Sequence, residues 1–192
     1  MDFETLLARV KARDPEAEGQ TPQSGDPFIV LPVARAREVL SWLRGDRECD
    51  FDSLMCLSGV DSGPGKPLEV VYHLHSLARR HKLTVKVRVP RERTEAASVS
   101  GIWAGAEFHE REAYDLYGIV FTGHPDLRRI LLPFDWEGWP GRQDYVFPKE
   151  YQGVALAREE QFFAEDVARS VAEREQRERE LTARLRAERK PG

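Results

Sequence analysis

Cysteine is nearly absent from this 192-residue chain, with Cys49 and Cys56 the only two. Two thiols are too few for a disulfide framework or for the four thiolates of a self-contained iron-sulfur cluster. A reduced, cytosolic chain is the expectation. Long apolar runs are lacking too: none approaches the roughly 18 residues that a spanning helix needs, and no charged segment leads into an apolar one after Met1. Neither a transmembrane helix nor a signal peptide is expected. There is no excess of positive charge, since 29 Lys and Arg face 33 Asp and Glu for a net charge of -4. That balance argues against a general grip on nucleic-acid backbone. Phosphate-cradling and nucleophile motifs are missing as well: there is no G-x-G-x-x-G, no G-x-x-x-x-G-K-S/T and no G-x-S-x-G, and Gly63-Pro64-Gly65 is a short turn between strands. No repeat of 20 to 50 residues appears.

What is present is periodicity. Phe3, Leu6, Leu7 and Val10 recur at helical spacing until Asp14-Pro15, after which residues 14–27 read as a polar loop. Phe28 to Leu31 reads as a buried strand, and Val33, Ala36, Val39, Leu40 and Leu43 as a helix beyond Pro32. A second short strand, Leu54 to Val60, closes on Asp61-Ser62-Gly63-Pro64-Gly65, which is turn chemistry. Leu68, Val70, Tyr72 and Leu74 alternate along one strand and Leu83, Val85, Val87 and Val89 along the next, predicting an antiparallel hairpin. From Ile102 to Tyr117 the period returns to 3.6, with Trp103, Ala106, Ala113, Tyr114 and Tyr117 on one stripe and Arg111, Glu112 and Asp115 elsewhere. Arg128 to Leu132 reads as a last strand, and Pro133 to Tyr145 as ordered but irregular. From Ala157 to Lys190 there is neither Pro nor Gly, and Arg and Glu dominate, as in one helix about 50 Å long. These elements predict an α+β, two-layer domain over residues 1–150, a mixed or antiparallel sheet packed by helices, followed by a charged helical extension over 151–192.

The candidate constellations are few. His73 and His75 lie two apart on one strand face and offer a metal site if His81, His109 or His124 completes it, and the set His73, His75 and His124 gives the alternative of a free-standing metal-dependent enzyme. Arg79, Arg80, Lys82, Lys86 and Arg88 offer a local nucleic-acid strip. Cys56 reads as a small core residue, and Cys49 as a loop thiol. The richest segment runs from Glu110 to Leu131. There Glu110 falls in the middle of an apolar helix stripe, so its carboxylate needs a partner, for which Arg128, Arg129 and Arg142 are candidates. Phe108 falls on the opposite, charged face. Gly118 suits a left-handed helix cap, and Gly123-His124-Pro125-Asp126 a turn. The arrangement reads as a helix and turn clamped by ion pairs, which can equally serve as a rigid docking surface.

The same residues carry a resemblance. Glu110-Arg111-Glu112, then Tyr114-Asp115-Leu116-Tyr117-Gly118-Ile119, then Gly123-His124-Pro125-Asp126-Leu127-Arg128 with Arg129 following, resemble the signature of the C subunit of NADH-quinone oxidoreductase, respiratory complex I. The likeness continues through Glu137-Gly138, Pro140, Arg142 and Asp144-Tyr145, while Trp139, Gly141 and Gln143 stand where the family usually has His, Leu and Lys. The resemblance implies a non-catalytic member of the peripheral arm that docks through this segment on the D subunit, the large subunit at the quinone site. It implies no cofactor on the chain itself, with NADH, FMN, iron-sulfur clusters and quinone held by other subunits. It also implies a place on the cytoplasmic side of the inner membrane, reached only through the complex. The nearest alternative is the equivalent subunit of a membrane-bound NiFe hydrogenase-type complex.

Overall fold

A computed structural model of the chain describes residues 1–156. Residues Met1–Val146 make one compact unit, and a second begins at Phe147. In the first unit, helix α1 (Phe3–Arg13) starts at Asp2, whose carboxylate accepts the Thr5 amide at 2.9 Å. That bond satisfies one of the helix's open amides. It stops at Asp14, which Pro15 pushes into extended backbone. Strand β1 (Glu18–Gln20) pairs antiparallel with β2 (Phe28–Pro32), and β2 runs into helix α2 (Val33–Gly45). Strands β3 (Ser53–Asp61), β4 (Leu68–Ser76) and β5 (His81–Val89) follow as an antiparallel meander, with β2 joined parallel to β5. The result is a five-stranded mixed sheet in the order β1-β2-β5-β4-β3.

The core lies on one face of that sheet. Ile29, Val85, Tyr72 and Leu57 align across four strands in one register row. They pack in one cluster with Leu6 and Val10 of α1 and with Val39, Leu40 and Leu43 of α2. Period-2 alternation puts every second residue there and leaves Glu69, His73, Lys86 and Arg88 on the other face. Beyond β5, strand β6 (Glu95–Ala97) pairs parallel with β7 (Val120–Thr122), and helix α3 (Ala106–Tyr117) lies between them in sequence. The α3 helix packs on β3. Tyr117 lies so close to Gly59 that a Cβ there would come within 2.5 Å of the tyrosine ring.

The α+β architecture, the β4–β5 hairpin and the β2–α2 step match the expectation. Several local readings need correction. The segment 14–27 contains β1, too short to show a period. The third helix starts at Ala106, because Ile102 and Trp103 are engaged in a turn, their amides donating to Val99 O. Arg128 to Leu132 is not a strand; its amides go to a side chain, as described below. The cysteines are reversed in role: Cys49 is fully buried although it lies in a loop, and Cys56 is half-exposed with its Sγ 3.2 Å from Ser58 Oγ.

In the second unit, β8 (Glu150–Tyr151) and β9 (Val154–Ala155) form a small antiparallel hairpin at the start of what reads from sequence as a helical extension. The helix expected over 157–190 lies outside the described residues. Among the described residues no helix is long and apolar enough to cross a membrane.

Candidate docking site

The site is built on α3 and the irregular segment that follows β7. Gly118 ends α3 in the left-handed conformation, φ 69°, with its amide on Tyr114 O at 2.8 Å, the cap its sequence position predicts. Gly123, φ 83°, then opens a turn in which His124 is held on both ring nitrogens. Its Nε2 lies 3.0 Å from Glu107 O, and its Nδ1 accepts the Asp126 amide at 3.0 Å. Pro125 is exposed, Leu127 packs against the core, and Arg128 pairs with Asp126 at the surface.

Asp115 organises what comes next. Its side chain is completely buried, and Oδ2 accepts the amides of Ile130, Leu131 and Leu132 at 2.9, 2.7 and 2.9 Å. Oδ1 takes Arg129 Nη1 at 2.7 Å. Arg129 Nη2 in turn donates to Trp136 O at 2.8 Å and Gly138 O at 3.0 Å, while the guanidinium stacks 4.7 Å above the Trp139 ring. Arg111, almost buried, donates to the carbonyls of Arg128 and Arg129. One ion pair and one arginine thus replace the ladder that a strand would have used, and this explains why the apolar run Ile130-Leu131-Leu132 is not a strand. Burial opposes ionisation of Asp115, but the three amides and Arg129 outweigh it and hold the carboxyl below the usual carboxylate range.

Asp115 and Arg111 are therefore inside, contrary to their expected place off the apolar stripe. Glu110 is buried as expected, but its partner is not an arginine from the 128–142 region. Its Oε2 accepts from Ser98 Oγ and its Oε1 from Val99 N, each at 2.6 Å. Burial pushes the Glu110 carboxyl above its ordinary range in spite of those bonds. Glu112 and Phe108 are exposed, the latter as its place on the charged face predicts.

The closing motif folds back on α3. Arg142 Nε donates to Tyr117 O at 2.7 Å and Gly141 N to Leu116 O at 2.9 Å. Trp139 packs its indole on Gly118 and lies edge-on to Tyr114, ring centroids 5.2 Å apart. Gln143 N donates to Asp61 Oδ2 at 2.9 Å, and its side chain to Asp61 O at 3.1 Å. Asp61, nearly buried, also accepts from Arg91, which reaches Asp144 at 3.4 Å. Tyr145 donates its hydroxyl to Glu137 O. Trp139, Gly141 and Gln143, where the resemblance leads one to expect His, Leu and Lys, thus each have a built contact. Ser98, Asp61 and Arg91 join the site without a signal in the sequence. Asp61 reads there as turn chemistry, and nothing in the pattern links it to Gln143, 82 residues away.

The competing sites do not assemble. Among the described residues no group of three His, Cys, Asp or Glu side chains is placed to hold a metal ion. His73 lies on the outer sheet face opposite Thr84, whereas His124 belongs to the turn beneath α3. Of the basic strip, Lys82, Lys86 and Arg88 face Asp26, Glu69 and Glu18.

Residues 29–151 match the family described as respiratory-chain NADH dehydrogenase, 30 Kd subunit. The chain is 49% identical over 132 residues to the C subunit of NADH-quinone oxidoreductase from Chloroherpeton thalassium, an alignment that spans 68% of this chain and 55% of that protein. It is 44% identical over 146 residues to the corresponding protein of Roseiflexus castenholzii, spanning 75% of this chain and 84% of that one. Among solved structures, the trypsin-resistant fragment (1-134) of Nqo5 superposes with a TM-score of 0.58 at 32% identity, over 66% of this chain and all of the fragment. A chain of the membrane-bound sulfane sulfur reductase, an archaeal respiratory membrane complex, shares the fold with a TM-score of 0.63 at 24% identity, over 74% of this chain and 85% of that one. The chain belongs to the family of the 30 kDa subunit of respiratory-chain NADH dehydrogenase, the C subunit of NADH-quinone oxidoreductase.

Proposed function

We propose that this chain is a non-catalytic subunit of the peripheral arm of NADH-quinone oxidoreductase and docks on the large quinone-site subunit, the D subunit, through the segment from α3 to Tyr145. The observation that carries the reading is the Asp115–Arg129 pair, which fixes an irregular loop whose Ile130, Leu131 and Phe134 side chains point to solvent. A segment with so many internal bonds and so little burial of its own apolar groups is preorganised for another surface. Electron transfer from NADH to quinone and its coupling to ion translocation are properties of the whole complex. NADH, FMN, iron-sulfur clusters and quinone are then held by other subunits, and this chain lies on the cytoplasmic side of the membrane. The same reading takes residues 1–150 as the family's domain and 151–192 as an extension.

The test is to purify the tagged, full-length chain from its native membrane and identify its companions by mass spectrometry. The quinone-site subunit recovered in near-stoichiometric amount is the expected result. Recovery of a large subunit with four nickel-ligating cysteines, or of the chain alone, overturns the assignment.

A further inference from the structure

Phe134 is 93% exposed, the most exposed large apolar side chain among the described residues. A single exposed apolar residue is ordinary, so exposure alone decides nothing. Its setting is not ordinary. Two residues before it, Leu132 N is tied to Asp115 Oδ2, and two residues after it, Trp136 O is tied to Arg129 Nη2. Asp115 and Arg129 are bonded to each other, so one buried ion pair grips both flanks of the loop. The loop is further closed by Trp136 N on Pro133 O at 3.1 Å. Leu131, 60% exposed, lies three residues away on the same loop.

Resting on the docking assignment, we infer that Phe134 is the anchor of the interface, inserting its ring into an apolar pocket on the quinone-site subunit whose rim carries lysine or arginine. An aromatic side chain with two rotatable bonds, carried on backbone already fixed, gives up little entropy on insertion, and such residues dominate binding where they fill a pocket. The rim's sign follows from the neighbours. Glu137 follows Phe134 at three residues and is exposed, while Arg129 is neutralised inside by Asp115. A second copy of this chain does not fit, because an isologous contact centred on Phe134 brings the same carboxylate together across the axis.

The experiment uses the full-length chain and the purified quinone-site subunit, with affinity measured at two salt concentrations. Phe134→Ala is expected to weaken binding roughly tenfold to thirtyfold with unchanged thermal unfolding, and Phe134→Leu to retain most of the affinity. Glu137→Lys is expected to slow association and flatten its salt dependence. Equal affinity of parent and Phe134→Ala overturns the anchor while leaving the docking assignment intact. Unchanged association by Glu137→Lys overturns the basic rim. If the parent does not bind the quinone-site subunit at all, the assignment itself fails and this inference with it. A dimer of the parent that Phe134→Ala abolishes overturns the inference by identifying a second copy as the occupant.

Discussion

Arg129 and Asp115 meet at 2.7 Å beneath a loop that neither of them belongs to in full: Asp115 sits on the last turn of α3, and Arg129 opens the segment that the pair holds in place. Between them they engage the backbone of Ile130, Leu131, Leu132, Trp136 and Gly138. Removing the carboxylate strands three amides and a mostly buried guanidinium at once. Asp115→Ala should therefore cost about 3–5 kcal/mol, the range for breaking a buried pair by deleting one partner. Chemical denaturation of the two proteins checks this; a loss within about 0.5 kcal/mol, the scale of ordinary surface substitutions, would show that the loop is held by other means.

Glu110 and Asp115 should give opposite pH dependences. Burial raises the Glu110 pKa, so the stability tied to that group is fully present below the unfolded value of about 4.3 and is lost as pH rises through the folded value. Asp115, lowered on balance, contributes stability above the unfolded value of about 3.9 that is lost as pH falls through its folded value. Glu110→Gln can still accept from Val99 N and donate to Ser98 Oγ, so it removes the titration but keeps the contacts. Its stability should gain on the parent as pH is raised from about 4 toward neutrality. Parallel stability curves for the two proteins would mean that Glu110 does not titrate differently in the folded state.

Gly141 stands where the resemblance noted in the sequence leads one to expect leucine, and the structure makes that residue unfavourable here. A Cβ at this position comes within 2.9 Å of Leu116 O and of the Tyr117 ring. Gly141→Leu should destabilise the fold by roughly 1–3 kcal/mol, the usual range for overpacking, and should loosen the Arg142 bond to Tyr117 O. Thermal unfolding with amide exchange of residues 138–145 reads both effects. Unaltered exchange there would show that the closing motif has room to move.

The parts of this fold that are legible in the sequence are those whose side chains obey a period. The β4 and β5 strands declare themselves because Leu68 to Leu74 and Leu83 to Val89 alternate against one buried face. The end of α3 is legible because only Gly118 suits a φ of 69° there. The β1, β6 and β7 strands, three residues each, are too short for any period to show. Misreadings cluster where side chains do the work of backbone. Ile130, Leu131 and Leu132 look like a buried strand, yet their amides are satisfied by one carboxylate. The burial of Glu110 is legible but its partner is not, since a serine hydroxyl and an amide just ahead of the helix carry no sequence signal as strong as an arginine. The residues expected to form the docking site do come together around α3, but Asp61 and Arg91 join them only through the fold.

Whether the loop gripped by Asp115 and Arg129 meets another subunit can be read by hydroxyl-radical footprinting, which compares side-chain oxidation in the isolated full-length chain and in the assembled complex. Ile130, Leu131 and Phe134 are exposed here, so they should oxidise readily in the isolated chain and be protected several-fold on assembly. His73, on the open face of the sheet, serves as the internal comparison. Unchanged oxidation of Ile130, Leu131 and Phe134 in a complex that protects His73 would refute the loop as the docking surface and move the interface to the sheet.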